Sequence, residues 1–261
     1  MIPRAALSLA RSPDTGSGCS SAWLEHCVRD AGVAGSNPVT PTILQFQQPW
    51  RLRAGNHLIG ALLIAGGYLL GSIPVGILVG RAFGFDPRAT GSGNVGMTNV
   101  ARAGGKRAAA LTFAGDLLKG LIPVLLARAA GLTAGGLAMV AFATFLGSIA
   151  SIFLKFTGGR GVATSLGLWL GLAPLAVLIA ATVFVVVVAV SRIVSLASIV
   201  AAITLVPAVA AVRCPRPFIL LAIAISGLVL LRHRANIRRL IAGEEPRIGE
   251  RKFNPVGRSA L

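Results

Sequence analysis

The chain has 261 residues, of which 54% are hydrophobic and 13% charged, and its mean hydropathy is +0.78. This composition excludes an ordinary water-soluble domain and predicts an integral membrane protein. The formal charge of +17 is large enough for a nucleic-acid-binding protein, but the basic residues lie mostly between apolar segments. Retention of basic loops in the cytoplasm and attraction to anionic lipid explain that charge better, so we expect membrane lipid and no nucleic acid as a partner.

Residues 1–56 differ from the rest of the chain because they are polar and lack a sustained apolar period. They do not form a secretory signal, since no basic segment precedes an apolar core. The run GCSSAWLEHCVRDAGVAGSNPVTPT resembles the peptide that results when a transfer-RNA gene is translated by mistake. We therefore expect either an annotation artefact, with a true start near Leu58, or a disordered extension.

From residue 57 onwards the sequence predicts an all-α polytopic membrane protein with about seven transmembrane helices. The first, at about 57–83, should kink at Pro74 and free a carbonyl that Ser72 or a neighbour must satisfy. Two glycine pairs allow this helix to approach its neighbours closely, namely Gly67 with Gly71 and Gly76 with Gly80. Further spans are expected at about 108–128, 137–154, 166–172, 175–190, in a segment that ends near 212, and at 218–231.

The distribution of Lys and Arg predicts the orientation of these spans. Basic residues are concentrated at 81–108, at 155–161, around 192 and after 231, which lie on one side if the spans alternate. The positive-inside rule then places the N-terminus outside and the C-terminus in the cytoplasm. We expect a transmembrane domain over 57–243 and a cytoplasmic tail over 244–261.

A glycine-rich stretch at 86–107, DPRATGSGNVGMTNVARAGGKR, follows the first span. Because glycine has no Cβ, several backbone N–H groups can converge on one concavity and bind an anion. The stretch also supplies neutral hydrogen-bonding groups and cations, so we predict a phosphate-binding loop at a membrane face. Its candidate residues are Arg88, Gly91, Gly93, Asn94, Gly96, Thr98 and Asn99, and Arg102, Lys106 and Arg107 add positive charge to the stretch.

A second segment, KFTGGRGVATS at 155–165, again couples glycines to cations. It should open the next helix at Gly161, where free N–H groups and the helix dipole favour an anion. It is not a P-loop, because GxxxxGK[ST] is absent. Since both clusters are expected on the cytoplasmic side, we predict one anion site assembled from separate loops, with Lys155, Gly158, Gly159, Arg160 and Gly161 in the second.

Two charges fall inside the predicted second span, Asp116 and Lys119, three residues apart on one helix face. Charges in hydrocarbon must be paired or must face a wet cavity. They could form a purely structural ion pair, but their closeness to the basic loop favours a place on the cavity wall, with Lys119 as a phosphate-binding candidate and Asp116 as a wall residue. Ser72, near the loop end of the first span, is a further candidate for the wall.

The chemical inventory narrows the reaction type. The sequence contains no HExxH or Cys/His cluster, so we expect no metal and no cofactor. The GxSxG elbow of serine hydrolases and the HxxxxD arrangement of soluble-type acyltransferases are also missing. Such a site suits a substrate that already carries a good leaving group, with catalysis by positioning and charge stabilisation.

Six motifs in order, GSIPVG, GSGNVGMTN, DLLKG, KFTGGRGVAT, VSLASI and RHRANIRR, resemble the PlsY-type bacterial glycerol-3-phosphate acyltransferases. The resemblance covers about 58–243. It implies transfer of a fatty acyl group from acyl phosphate to the 1-hydroxyl of glycerol 3-phosphate, giving lysophosphatidic acid and phosphate, with the active site facing the cytoplasm at the inner membrane. A transporter for a small organophosphate anion is the alternative, and a non-catalytic lipid-binding scaffold fits less well.

The resemblance also implies roles for individual residues. It assigns substrate phosphates to the two loops, through Ser92, Asn94, Thr98, Asn99 and Arg88 and through Lys155 and Arg160, and it adds Ser195, His233 and Asn236. We expect Ser92 or Asn94 to stabilise the oxyanion, and the glycerol proton to pass to His233 or to a substrate phosphate. His233 could instead be an interfacial histidine without catalytic function. The chain departs from the family pattern at Ser148, where His is expected, at Arg160, where Lys is usual, and at Met97 and Ala235.

Overall fold

The computed structural model describes residues 57–249, and this range is all-helical apart from one isolated bridge between Ser151 and Thr157. The all-α prediction is therefore confirmed for the described range. The expectations for residues 1–56 and for 250–261 lie outside it. The helices are α1 (His57–Ser72), α2 (Val75–Ala82), α3 (Met97–Ala129), α4 (Ala134–Ile149), the 3-10 turn Ile152–Leu154, α5 (Val162–Leu172), α6 (Pro174–Ser191), α7 (Val194–Ala211), α8 (Arg216–Arg232) and α9 (Arg234–Ile241).

Three of these helices, α3, α6 and α7, are long and apolar enough to cross a membrane. The number rises to five if each bent pair is one span, with α1 and α2 meeting at 41° and α8 and α9 at 60°. The helices α4 and α5 are apolar but shorter. The count of seven spans and the sidedness of the termini stay predictions.

Glycines set the distance between neighbouring helices. A Cβ at Gly71 of α1 would lie 2.1 Å from the Thr144 carbonyl oxygen of α4, and one at Gly147 would lie 2.2 Å from the Tyr68 carbonyl oxygen. The same backbone-to-backbone contact joins α3 to α5, since a Cβ at Gly167 would lie 2.0 Å from the Leu117 carbonyl oxygen. The predicted close approach of the first span is confirmed.

Large apolar side chains fill the core of the helical bundle. Phe145, Leu168, Trp169 and Phe218 are fully buried there, and the Trp169 and Phe218 rings meet edge to face with centroids 6.5 Å apart. Aromatic pairs of this geometry are favourable beyond their buried area.

Two local features of the helices were not expected from the sequence. The α3 helix already begins at Met97 and is broken at Gly105 (φ 79°), so half of the glycine-rich stretch is helix rather than loop, while the segment after the break agrees with the second span expected at about 108–128. The turn before α7 has Arg192 in the left-handed conformation (φ 58°), and Ser195, expected to bind substrate, already lies in the first turn of α7.

The helix contact at Gly71 can be tested by adding one methyl group. We expect Gly71→Ala to destabilise the protein by about 1–3 kcal/mol, because the methyl must displace the α4 backbone. Thermal unfolding in detergent measures the effect. Gly66→Ala on the same helix is the matched control, since a Cβ there meets nothing within 4 Å. Equal stability of the two variants would contradict this account of α1 and α4 packing.

Candidate functional site

A cavity of about 920 Å³ lies at the loop end of the bundle. Its wall combines both glycine clusters, the break between α1 and α2, the starts of α3, α5 and α7, the α8–α9 junction and residues 245–249. The sequence-predicted residues that line it are Ser72, Gly91, Ser92, Asn94, Gly96, Thr98, Asn99, Asp116, Lys119, Gly158, Gly159, Arg160, Gly161, Ser195, His233 and Asn236. Separate loops therefore meet at one site.

The first loop is held together by the amide of Asn99. Its Nδ2 donates to the Pro87 carbonyl (2.6 Å) and to the Thr90 carbonyl (2.9 Å), and its Oδ1 accepts from the Ser92 N–H (2.9 Å). Gly91 stands in the left-handed region (φ 61°), and a Cβ there would lie 2.5 Å from Asn99 Oδ1. The structure thus uses Asn99 to shape the loop, where the sequence had suggested a phosphate ligand.

The loop ends at the exposed start of α3. Asn94 Oδ1 accepts from the Gly96 N–H (3.1 Å), and Gly96 then begins the helix without any side-chain cap. The first N–H groups of a helix lack intrahelical partners, so this start offers donors to the cavity. The Ser92 hydroxyl and the Asn94 Nδ2 also line the cavity without a partner among residues 57–249.

The second glycine cluster is fixed by Arg232 at the end of α8. Its guanidinium donates to the Gly158 carbonyl (2.6 Å) and to the Gly159 carbonyl (3.2 Å), while the Gly159 N–H donates to the Ser148 carbonyl (3.1 Å). Gly161 begins α5 in the left-handed conformation (φ 74°), as the sequence predicted, and carries no side-chain cap. The Arg232 guanidinium is therefore hydrogen-bonded to the carbonyls of this turn, and it orders the loop.

Two other arginines keep their guanidinium groups free of hydrogen bonds and ion pairs within residues 57–249. Arg102 comes from α3 after the first loop and Arg160 from the second loop, and both line the cavity. Burial lowers the pKa of Arg160, while the Glu245 carboxylate acts in the opposite direction. A guanidinium stays charged in proteins, so these two groups present available positive charge to the cavity.

The charged pair in α3 lies on the cavity wall and is also paired internally. Lys119 Nζ lies 2.9 Å from Asp116 Oδ1, and it donates to the Ile73 carbonyl at the break after α1 (3.1 Å). Both side chains also line the cavity. The two residues are therefore an ion pair and part of the cavity wall at the same time. The prediction that a neighbour satisfies a freed carbonyl near Pro74 is confirmed, with Lys119 as that neighbour.

Glu245 closes the cavity from the C-terminal side. Its carboxylate accepts hydrogen bonds from Ser195 Oγ (2.7 Å), Asn236 Nδ2 (2.5 Å) and Arg239 Nε (2.7 Å). Burial raises the pKa of Glu245, but the three hydrogen bonds outweigh it and hold the pKa below the usual value. Ser195 and Asn236, expected to bind substrate, are therefore bound to a carboxylate of the chain itself.

His233 lies between α8 and α9 and is 1% exposed. Its Nδ1 faces the Val229 carbonyl (2.8 Å), which can only accept, so Nδ1 carries the proton and Nε2 is left as an acceptor. Burial lowers the pKa of His233, so the ring is neutral at physiological pH. Asn236 Oδ1, also on the cavity wall, is buried without a hydrogen-bond partner in the described range.

Three predicted site residues lie outside this cavity. Arg88, Gly93 and Lys155 line a smaller neighbouring cavity of about 400 Å³. Arg88 forms an ion pair with Asp86 (2.7 Å), and its side-chain hydrogen bond holds the pKa of that carboxyl at about 2. The structure therefore does not bring Arg88 and Lys155 to the main site.

Sequence reasoning missed three residues with clear structural roles. Arg102 was counted among the loop cations but was not singled out, Arg232 was hidden within the RHR motif, and Glu245 was assigned to the tail. A signal for Glu245 was available: it is one of two adjacent acidic residues directly after a strongly basic helix. Nothing in the local pattern distinguishes Arg232, since its partners lie 73 and 74 residues away.

The fold and the cavity together define a helical membrane protein with a cationic, glycine-lined site. A model of the family described as glycerol-3-phosphate acyltransferase matches residues 61–243. The chain belongs to this family, and it is an integral membrane acyltransferase. The resemblance seen in its motifs is thereby confirmed, and the transporter alternative is set aside.

Individual relatives agree with the family match. A Geobacter metallireducens protein named glycerol-3-phosphate acyltransferase is 53% identical over 190 residues, which are 73% of this chain and 98% of that one. A Geotalea daltonii protein of the same name is 49% identical over 184 residues, covering 70% of this chain and 95% of that one. The crystal structure of PlsY (YgiH), an integral membrane glycerol 3-phosphate acyltransferase in its glycerol 3-phosphate form, is 40% identical, with a TM-score of 0.71 over 73% of this chain and 96% of that one.

The lowered pKa of Glu245 predicts that the stability which its carboxylate contributes is lost in acid. A carboxylate whose pKa is lowered on folding stabilises the protein above its ordinary pKa, and this contribution is lost as pH falls through the folded value. We expect Glu245→Gln to flatten the decline of Tm that the wild type shows below about pH 4.5. Thermal unfolding between pH 7 and pH 3.5 measures it.

Glu244→Gln is the matched control, because Glu244 is exposed and its side chain has no partner in the described range. It should leave the acid decline of Tm unchanged. If Tm declined equally in Glu245→Gln and in the wild type, the stabilising role of this carboxylate would be contradicted.

Proposed function

We propose that the protein transfers a fatty acyl group from acyl phosphate to the 1-hydroxyl of glycerol 3-phosphate, releasing lysophosphatidic acid and inorganic phosphate. The observation that carries the proposal is the pair of cations Arg102 of α3 and Arg160 of the second loop, which line one cavity and have no hydrogen bond or ion pair among residues 57–249. Two phosphate-bearing substrates need two cationic contacts in one site. The family match and the solved PlsY forms support the choice of glycerol 3-phosphate as acceptor.

The cavity has an apolar side as well as a cationic one. Phe113 of α3, Phe184 of α6 and Val194 of α7 line it together with the charged residues. An acyl chain fits such a wall because it loses no hydrogen bonds there and gains burial. The positive-inside distribution supports an active site that faces the cytoplasm at the inner membrane.

The residues of the cavity account for each step of the transfer. The glycerol hydroxyl oxygen attacks the acyl carbonyl carbon, and the free N–H groups at the start of α3, with Ser92 or Asn94, stabilise the oxyanion that forms. The C–O bond to phosphate then breaks and phosphate leaves beside Arg160. Asn236 Oδ1, which is buried without a partner, accepts a hydrogen bond from a glycerol hydroxyl.

The proton of the attacking hydroxyl goes to a phosphate oxygen rather than to the imidazole of His233. Burial lowers the pKa of His233, which makes its Nε2 a weak base, whereas a phosphate monoester has a second pKa of about 6. His233 Nε2 therefore accepts a hydrogen bond from the hydroxyl and orients it. Of the two proton acceptors suggested by the sequence, the lowered pKa of His233 therefore favours the substrate phosphate.

The reaction itself is tested with purified protein, acyl phosphate and glycerol 3-phosphate. We expect release of inorganic phosphate together with lysophosphatidate, without coenzyme A or acyl carrier protein. Folded protein that gives no product would contradict the proposal. Uptake of glycerol 3-phosphate into proteoliposomes, in the absence of product, would instead support transport.

Removal of the Arg160 charge should weaken the reaction selectively. We expect Arg160→Gln to lower kcat/KM by about 10- to 100-fold, because a charge-assisted hydrogen bond to phosphate contributes about 1.5–3 kcal/mol. Arg234→Gln is the control, since Arg234 is exposed and lies outside the cavity. Equal losses in both variants would indicate a general effect of surface charge.

His233 gives a prediction about pH. We expect His233→Ala to reduce kcat by about 100-fold, because a displacement of about 1 Å of the attacking hydroxyl can cost a factor of that size. If His233 were the general base, the pH dependence of wild-type kcat would show an ionisation near 6.5 that His233→Ala abolishes. We expect the wild-type profile to show no such ionisation. Finding such an ionisation would make His233 the general base, and full turnover of the variant would remove it from the site.

A further inference from the structure

The break in the first span is held by side chains from two other parts of the chain. The α1 helix ends at Ser72 and α2 begins at Val75, so the carbonyls of residues 72 and 73 lie outside a continuous helix. The Ser72 carbonyl accepts from Ser151 Oγ, and the Ile73 carbonyl accepts from Lys119 Nζ (3.1 Å). Unsatisfied carbonyls are costly in an apolar environment, so these donors determine where the chain bends.

The short helix α2 is the support on which the first loop rests. A Cβ at Gly76 would lie 1.9 Å from the Val95 carbonyl oxygen, and one at Gly80 would lie 2.6 Å from the Phe85 carbonyl oxygen. The α2 backbone therefore touches the loop near both of its ends. Any change in the direction of α2 must move Val95, which lies between Asn94 and Gly96 on the cavity wall.

Lys119 can hold the break only if its ammonium is fixed. Asp116, one turn earlier on α3, places its Oδ1 2.9 Å from Lys119 Nζ. The Lys119 side chain is only 9% exposed and the Asp116 side chain 16% exposed. The α2 helix also packs on α3 directly beside this pair, since a Cβ at Gly115 would lie 2.6 Å from Val75 Cγ1. The pair thus connects α3 rigidly to the bend between α1 and α2.

We infer that Asp116 and Lys119 are positioning residues, which place the oxyanion-binding loop by fixing the bend at Ile73. Asp116 holds Lys119, and Lys119 donates to the Ile73 carbonyl at the bend. The bend sets the direction of α2, and α2 contacts Val95 of the loop through Gly76. Lys119 acts on the reaction through this loop rather than as the phosphate ligand expected from the sequence. The inference rests on the proposed acyl transfer at that loop.

Exchanging the two charges separates positioning from simple charge pairing. The double variant Asp116→Lys with Lys119→Asp keeps one ion pair in α3 but moves the ammonium one turn away from the Ile73 carbonyl. We expect its Tm to stay close to that of the wild type while kcat falls by about 100-fold, the effect of a displacement of about 1 Å at a reacting centre. The KM for glycerol 3-phosphate should change by less than about threefold.

Single substitutions supply the remaining arms of the experiment. Lys119→Met should lower both Tm and kcat, and Lys119→Arg should retain most of the turnover, because a guanidinium can still pair with Asp116 and donate to Ile73. Lys106→Met removes the same charge from an exposed position of α3 outside the cavity and should behave as the wild type.

Amide hydrogen exchange measures the loop without relying on turnover. In the charge-exchanged variant we expect residues 91–99 to exchange at least about tenfold faster, while residues 158–161 keep the wild-type rate. If the wild type forms no lysophosphatidate, the proposed reaction fails, but these exchange rates still test the positioning role. Wild-type turnover in the charge-exchanged variant, or unchanged exchange over 91–99, would overturn the inference.

Discussion

The constraint on which this structure depends is that irregular backbone next to an apolar bundle must find its hydrogen-bond partners in the protein. A phosphate site needs irregular backbone, because regular helices have no free N–H groups except at their starts. Each irregular segment is therefore paired with a side chain from elsewhere: the bend at Ile73 with Lys119, the first loop with Asn99 and the second loop with Arg232. These side chains lie far from the loops in sequence or at the opposite end of them.

This arrangement divides the polar residues into two groups. Asn99, Lys119 and Arg232 use their donors on carbonyls of the chain, so their effect on substrate is through the shape of the loops. Arg102 and Arg160 have no hydrogen bond within the described range and are available to an anion. Residue type alone does not separate the groups, because each contains arginine. The two groups differ in whether the side chain lies next to a carbonyl that has no backbone hydrogen-bond donor.

Much of the fold could be predicted because membrane segments are strongly marked by composition. The helical class, the kink at Pro74, the close glycine contacts and the helix start at Gly161 all follow from local rules. The site was predicted as a set of loops, and most of its members do meet in one cavity. The roles of Asn99, Arg88 and Lys155 could not be predicted, because a cation or an amide near a glycine loop can face the substrate, the loop itself or a neighbouring carboxylate such as Asp86.

Glu245 shows how a carboxylate can belong to a site that binds anions. Arg102, Arg232 and Arg239 lie close enough to Arg160 for these like charges to repel it. One buried carboxylate among them offsets part of that repulsion, and its hydrogen bonds to Ser195, Asn236 and Arg239 also fix its position. Because Glu245 uses Asn236 Nδ2, the Oδ1 atom of that amide is left without a hydrogen-bond partner among residues 57–249. The carboxylate thereby determines which atom of Asn236 remains able to accept a hydrogen bond, although Glu245 lies outside the expected transmembrane domain.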